Sequence, residues 1–157
     1  MRIGIGSDES GYQLKQVVAR HLRDHGDDLV DYGPLEGEQP EYSASYARRV
    51  AHAIRDGEVE RGVLICGTGV GISIAANKVR GIRAAVCSEP YTARHTREHN
   101  STQIIAFGSF LVGPEMACAI VDAFLAAEFK GGIFAERFQK IAAIEDEEYG
   151  REPDPRP

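Results

Sequence analysis

Leu64–Lys78 reads LICGTGVGISIAANK, and the fold follows from how this stretch changes character. Val63, Leu64 and Ile65 form an apolar run of the kind that makes a buried strand. The run stops at Cys66, passes Gly67, Gly69 and Gly71, and resumes with helical spacing through Ala76. A strand, a glycine turn and a helix start together aim backbone N–H groups at whatever lies over the strand end. A thiol held there is drawn toward thiolate by the positive end of the helix. Cys66 also has a plainer reading as a small buried hydrophobe. The glycine turn directly after it favours a functional thiol, whereas Cys87 and Cys118 read as core fillers of a strand and a helix.

The rest of the chain repeats the same alternation. Arg2–Ser7 is a predicted strand ending in the polar turn Asp8-Glu9-Ser10-Gly11, and Leu14, Val17, Val18 and Leu22 mark a helix that stops near Gly26. Leu29–Tyr32 is a second strand, and the Pro- and Gly-containing segment Gly33–Glu41 is a loop. Ser43 or Ser45 caps a helix closed by Gly57, and Gly62–Ile65 is the third strand. Ile82–Cys87 is a fourth, buried strand, Glu89–His99 a helix, Gln103–Phe107 a fifth strand and Pro114–Glu128 a long amphipathic helix. After Gly131-Gly132 a last helix, Phe134–Ile144, shows an apolar face that either packs on its own sheet or reaches across to another subunit. Five strands alternating with helices predict an α/β fold, a Rossmann-like αβα sandwich around a five-stranded parallel sheet. Residues 1–145 read as one such domain, and the charged, proline-containing tail 146–157 is expected to be disordered.

Composition narrows the partners. At 157 residues with 43% hydrophobic content, the chain can build a core without disulfides. A net charge of −6 argues against nucleic acid and anionic membranes, and no segment approaches membrane-spanning length. Three widely spaced cysteines without a CxxC pair point away from a structural zinc site and toward a reduced, cytoplasmic protein. Gly4-Ile5-Gly6 lacks the third glycine of a dinucleotide fingerprint, and Glu9 would face the pyrophosphate, so NAD is rejected. Gly67–Gly71 lacks the lysine of a P-loop. No cofactor is expected.

The remaining candidates lie at strand and helix ends. Asp8 and Glu9 could hold sugar hydroxyls, a cation or only water, and His99-Asn100 is either a helix-end cation cap or an acid with a hydroxyl-orienting partner. Arg137 on the last helix reads by itself as a surface charge, and His21, His25, His52 and His95 read as solvated helix positions.

The segments GSDESGYQLK (6–15), GVLICGTGVGISIAANKVRGIRAAVCSEPY (62–91), REHNSTQIIAFGS (97–109) and AIVDAFLAAEFKGG (119–132) make the chain resemble the ribose-5-phosphate isomerase B family, which includes galactose-6-phosphate isomerases. The resemblance implies a Rossmann-like sheet and a homodimer or dimer of dimers, with active sites shared between two subunits. It also implies a metal-free interconversion of aldose and ketose through a cis-enediolate. It assigns Cys66 as the base moving the proton between C1 and C2, and Gly67, Thr68, Gly69, Val70 and Gly71 as the loop facing the reacting oxygens. It gives His99 as the ring-opening acid and Asn100 as a substrate contact. Apolar Ile72 stands where one branch of the family has a glutamate base, which leaves Cys66 in that role.

The departures concern the substrate. Glu9 stands where the family has a histidine, Ser101 where it has an aspartate, and Ser43-Ala44-Ser45-Tyr46 replaces a Tyr-Pro-His-Tyr. Phe110 and Ile133 replace two phosphate-binding arginines, leaving Arg137. A phosphate carries roughly −1.5 to −2 charges and is best held by several charge-assisted bonds. The sequence therefore predicts an active isomerase whose preferred sugar is unphosphorylated, shorter, or held by substitute cations such as Lys130. A non-catalytic sugar-binding protein on the same fold is the alternative, and a divalent metal held by Asp8, Glu9 and His99 a weaker third reading.

Overall fold

The computed structural model describes residues 1–149. Five strands form one sheet: β1 (Arg2–Ser7), β2 (Asp28–Asp31), β3 (Arg61–Cys66), β4 (Ala84–Val86) and β5 (Ile104–Gly108). Their order is β2-β1-β3-β5-β4, and every pairing is parallel. Six helices complete the chain: α1 (Tyr12–Asp24), α2 (Ser43–Arg55), α3 (Val70–Ala76), α4 (Pro90–Asn100), α5 (Pro114–Leu125) and α6 (Ile133–Glu148). The expected α/β sandwich is present.

Alternation along the central strands divides the core in two. Ile3, Ile5, Val63, Ile65, Ile105 and Phe107 face one layer, where they pack on Val18 and Leu22 of α1, Ala93 of α4, and Val121 and Phe124 of α5. Leu64, Cys66, Ile104 and Ala106 face the other, against Val50 and Ala51 of α2 and Ile72 and Ala76 of α3. β3 is buried along its whole length because strands and helices cover it on every side. The chain leaves β1 in one direction and crosses to β3 in the other, so the carboxyl ends of β1 and β3 flank the crevice at which such sheets bind ligands.

Several boundaries differ from the sequence reading. β4 is a short edge strand whose residues are half-buried or exposed, because only β5 pairs with it. Tyr42, rather than a serine, occupies the cap of α2, with no side-chain hydrogen bond. The last helix runs to Glu148 instead of ending at Ile144: the Gly81 N–H donates to the Glu145 carboxylate at 3.0 Å, and Arg80 pairs with Asp146. Those contacts hold the start of the segment expected to be disordered; residues 150–157 lie outside the described residues.

Two buried cations tie elements together. The Arg61 guanidinium, 5% exposed, donates to the carbonyls of Phe124 and Ala127 and so satisfies the open end of α5. Lys15 is fully buried, and its Nζ donates to both Asp31 oxygens (2.7 and 2.8 Å) and to the Pro34 carbonyl (2.7 Å). It joins α1 to the end of β2 and to the loop behind it. Lys15→Met leaves the Asp31 carboxylate and a carbonyl without their cation, and is expected to cost about 3 kcal/mol or more in urea denaturation. The double variant with Asp31→Leu should recover part of that loss; equal losses in the two proteins would contradict the coupling.

Candidate active site

Three loops meet at the carboxyl ends of β1, β3 and β5. The Asp8 N–H donates to the Ile65 carbonyl (3.2 Å), the Ser109 N–H to the Cys66 carbonyl (2.8 Å), and the Phe110 N–H to the Gly67 carbonyl (3.1 Å). The Ser109 hydroxyl donates to the Ser10 carbonyl at 2.8 Å, closing the ring between the first and third loops. Cys66 ends β3 inside this ring, 6% exposed. Gly69 precedes α3 at φ +80°, a left-handed conformation that turns its N–H back onto the Cys66 sulfur at 3.1 Å. Thr68 Oγ1 accepts from the Val70 N–H (3.3 Å), which orients the hydroxyl oxygen toward the helix start. The first-turn N–H groups of Gly71 and Ile72 have no acceptor within the helix; Gly71 is exposed at the helix start, whereas Ile72 is buried.

The neighbouring walls are acidic. Asp8, Glu9, Glu41 and the Tyr42-Ser43 corner line a cleft of about 510 Å³. Asp8 Oδ1 accepts from the Ser10 hydroxyl (2.6 Å) and the Gly11 N–H (3.1 Å), so that carboxylate also shapes its own turn. A hydrogen bond from Ser45 and another from Arg49 hold the Glu41 carboxyl below its usual range. Phe110 lies over the glycine turn: a β-carbon added to Gly67 would stand 2.6 Å from its ring. Phe110 as a whole is 74% exposed.

The second group of candidates lies elsewhere. α4 runs back against the strands, so His99 and Asn100 sit near the amino end of β5, where Arg83 donates to the carbonyls of Asn100 (3.1 Å) and Ser101 (2.9 Å). At about 3.3 Å per residue, the two ends of a strand such as β3 are roughly 16–20 Å apart. One chain therefore holds Cys66 and His99 at opposite ends of its sheet. His99 stacks on Phe134 of α6, with ring centres 3.9 Å apart, and meets His95 at 3.7 Å. Together with Asn100, Arg137, Phe138 and Ile141 they line a cleft of about 210 Å³. Ile133 is exposed and outside that lining. Lys130, a candidate substitute cation, is already paired with Glu98 at 2.8 Å.

The geometry corrects some sequence expectations. His95 is not a solvated position but part of the His99 cluster, a role its spacing from Tyr91 and His99 on one helix face could have indicated. His21 and His25 meet Asp122, and Cys118 is only partly buried. Cys87 is the expected core residue, with burial pushing its thiol up to about 12.

The matching family model, Ribose/Galactose Isomerase, spans residues 3–141. The chain belongs to this family. It is 51% identical over 144 residues to ribose-5-phosphate isomerase B of Escherichia coli, covering 92% of this chain and 96% of that one. It is 44% identical over 149 residues to D-erythrulose-4-phosphate isomerase of Pectobacterium atrosepticum, covering 94% and 97%. The structure of Clostridium thermocellum ribose-5-phosphate isomerase B superposes with a TM-score of 0.89 at 50% identity, covering 94% and 99%. Membership in the Ribose/Galactose Isomerase family makes this chain an enzyme of the aldose–ketose isomerase class. Among the described residues, no helix is long and apolar enough to cross a membrane.

Burial, followed by the positive fields of His95, Lys130 and Arg137, holds the His99 imidazole below its usual range, with Glu98 opposing. A lowered value means that the folded chain binds fewer protons than the unfolded one as pH drops. The stability linked to His99 is thus complete above the unfolded value and declines as pH falls through it. A proton-NMR titration should find the His99 midpoint below that of a free imidazole, and His99→Gln should flatten the acid-side slope of stability against pH. A midpoint above the free value would contradict this geometry.

Proposed function

We propose that this chain interconverts an aldose and a ketose through a cis-enediolate without a metal, with Cys66 as the base. The observation that carries the reading is the Cys66 sulfur held at 3.1 Å from the Gly69 N–H, beside a helix start that faces the same space. The Cys66 thiolate removes the proton from the carbon next to the carbonyl and returns it to the neighbouring carbon. The negative charge on oxygen in between meets the N–H groups of the glycine turn, which are already oriented before the reaction.

The acid that opens the ring is assigned to His99 of a second copy of the chain, because its own His99 lies at the far end of the sheet. The two ends have complementary charge: Asp8, Glu9 and Glu41 border the Cys66 end, and the Arg137 guanidinium stands beside His99. A twofold pairing of copies would join each acidic end to a cationic one twice. Exposed Ile141 and Ile144 on α6, and Val70 and Ile74 on α3, supply apolar surface for such a homodimer or dimer of dimers.

The preferred sugar is not ribose 5-phosphate in the usual pose. Phe110 covers the glycine turn where an arginine would serve a phosphate, Ile133 offers no charge, and Lys130 is engaged with Glu98. An unphosphorylated sugar or a shorter sugar phosphate suits this site better. The relative named for a four-carbon sugar phosphate supports the shorter option.

A panel of tetroses, pentoses, hexoses and their phosphates, followed for ketose formation in the full-length protein, tests the proposal. Cys66→Ser should fold normally and lose at least a hundredfold in kcat. Binding of a sugar without exchange of its C2 hydrogen with solvent would favour a non-catalytic sugar-binding protein. Specificity is checked separately by Phe110→Arg with Ile133→Arg. Each new charge-assisted bond is worth about 1.5–3 kcal/mol, so kcat/KM for ribose 5-phosphate should rise at least tenfold. If the unaltered protein already turns over ribose 5-phosphate with the highest kcat/KM of the panel, the specificity argument is wrong while the isomerase reading stands.

A further inference from the structure

A second cluster of ligating side chains lies between α1 and α5. His21 Nε2 is 2.7 Å from Asp122 Oδ1, and His25 Nδ1 is 3.9 Å from the same oxygen. The two imidazole centres are 4.1 Å apart. One ligand atom from each residue falls within 4.8 Å of the other two.

The helices fix this arrangement. His21 and His25 stand four residues apart, one turn along one face, and the His25 N–H donates to the His21 carbonyl at 3.1 Å. Asp122 is presented by α5, whose neighbours Val121 and Phe124 are locked into the same core as Val18 and Leu22 of α1. Neither backbone can move far, so the three side chains are preorganised.

An ordinary salt bridge accounts for only part of the cluster. His21 and Asp122 are within hydrogen-bonding distance, but His25 Nδ1 at 3.9 Å is too far to bond and still faces the shared oxygen. Asp122 and His25 are about half exposed, where an ion pair contributes about 0–1 kcal/mol. A tetrahedral ion with ligands at about 2.0–2.1 Å would separate its ligand atoms by roughly 3.3 Å. The two observed separations from Asp122, 2.7 and 3.9 Å, bracket that value, and the two imidazole ligand atoms lie within 4.8 Å of each other.

We propose that His21, His25 and Asp122 form a surface binding site for a divalent transition-metal ion of the zinc class, clipping α1 to α5. Two imidazoles and one carboxylate are the donors such ions prefer over magnesium or calcium, and the exposed side leaves a coordination position for water. Binding releases to solvent any proton shared by His21 and Asp122. The site is separate from the Cys66 turn, which opens at the carboxyl ends of the strands. It is also separate from the cluster of His95, Glu98 and His99 on α4, which belongs to the proposed active site.

Titration calorimetry with zinc chloride on the full-length protein, in a buffer that does not chelate zinc, tests the site. Three proteins are compared: unaltered, His25→Ala and His95→Ala. His25→Ala should lose one zinc equivalent per chain or weaken it at least tenfold, while its melting temperature without zinc and its isomerase activity stay unchanged. His95→Ala should retain that equivalent, and magnesium should not compete for it. Asp122→Asn repeats the test from the other helix. Equal zinc stoichiometry and affinity in the unaltered protein and His25→Ala, or no zinc uptake at 100-fold excess, would overturn the proposal.

Discussion

Close approach of backbone to backbone is the constraint on which the rest of the structure depends. A β-carbon on Gly11 would stand 2.4 Å from the Ile65 carbonyl oxygen, one on Gly108 2.5 Å from the Thr68 Cα, and one on Gly69 2.8 Å from the Phe107 Cα. The opposing atoms are all backbone, so no rotamer change could relieve the overlap. With hydrogen in place of a side chain, the loops after β1, β3 and β5 come near enough to exchange main-chain hydrogen bonds. The position of Cys66 and the direction of the Gly69 N–H are therefore set by main chain and vary little with solvent or side-chain motion. Stabilising an oxyanion calls for donors arranged in this way, because the cost of orienting them is met during folding.

Parallel topology then limits what one chain can do. Every helix that returns to the sheet carries its last residues to the amino ends of the strands, so α4 delivers His99 and Asn100 away from the crevice at Cys66. No loop rearrangement short of unfolding α4 brings them together. Under the proposed pairing of copies, the separation has a use. The acidic rim around Asp8, Glu9 and Glu41 and the Arg137 guanidinium beside His99 would attract each other across that pairing, while two acidic rims would repel, which favours one docking orientation.

The parts legible in the sequence were those decided by neighbours along the chain. The apolar run into Cys66 and the glycines after it specified a strand, a turn and a helix. Elements decided by distant residues were not legible. Glu145 and Asp146 looked like a fraying tail, since nothing nearby shows that Gly81 and Arg80 receive them. His95 looked solvated on a polar helix until Phe134, nearly forty positions later, covered its neighbour His99. Nothing along the chain marked Lys15 as buried, because its partners Asp31 and the Pro34 carbonyl belong to the next strand and loop. Asp122 stands about a hundred residues from the two histidines it meets.

The charge around the crevice bears directly on the substrate. A phosphate beside Asp8, Glu9 and Glu41 would add its charge to three carboxylates while facing an aromatic ring at Phe110, and at 4 Å even a solvent-screened pair of like charges costs about 1 kcal/mol. An uncharged sugar meets a different environment there. Carboxylates accept hydrogen bonds from hydroxyl groups, and an aromatic face packs against the C–H side of a ring. In the proposed joint site Arg137 leaves room for one anionic group at the far end, with its guanidinium over the Phe134 ring at 5.7 Å. A single arginine can grip one such group bidentately, but it cannot also offset the repulsion of the acidic rim for a charge held close to it. Under the proposed specificity, distance from that rim decides which sugars are tolerated. On that proposal an anionic group is acceptable where chain length and ring form carry it to Arg137, and is disfavoured wherever it must lie against Phe110.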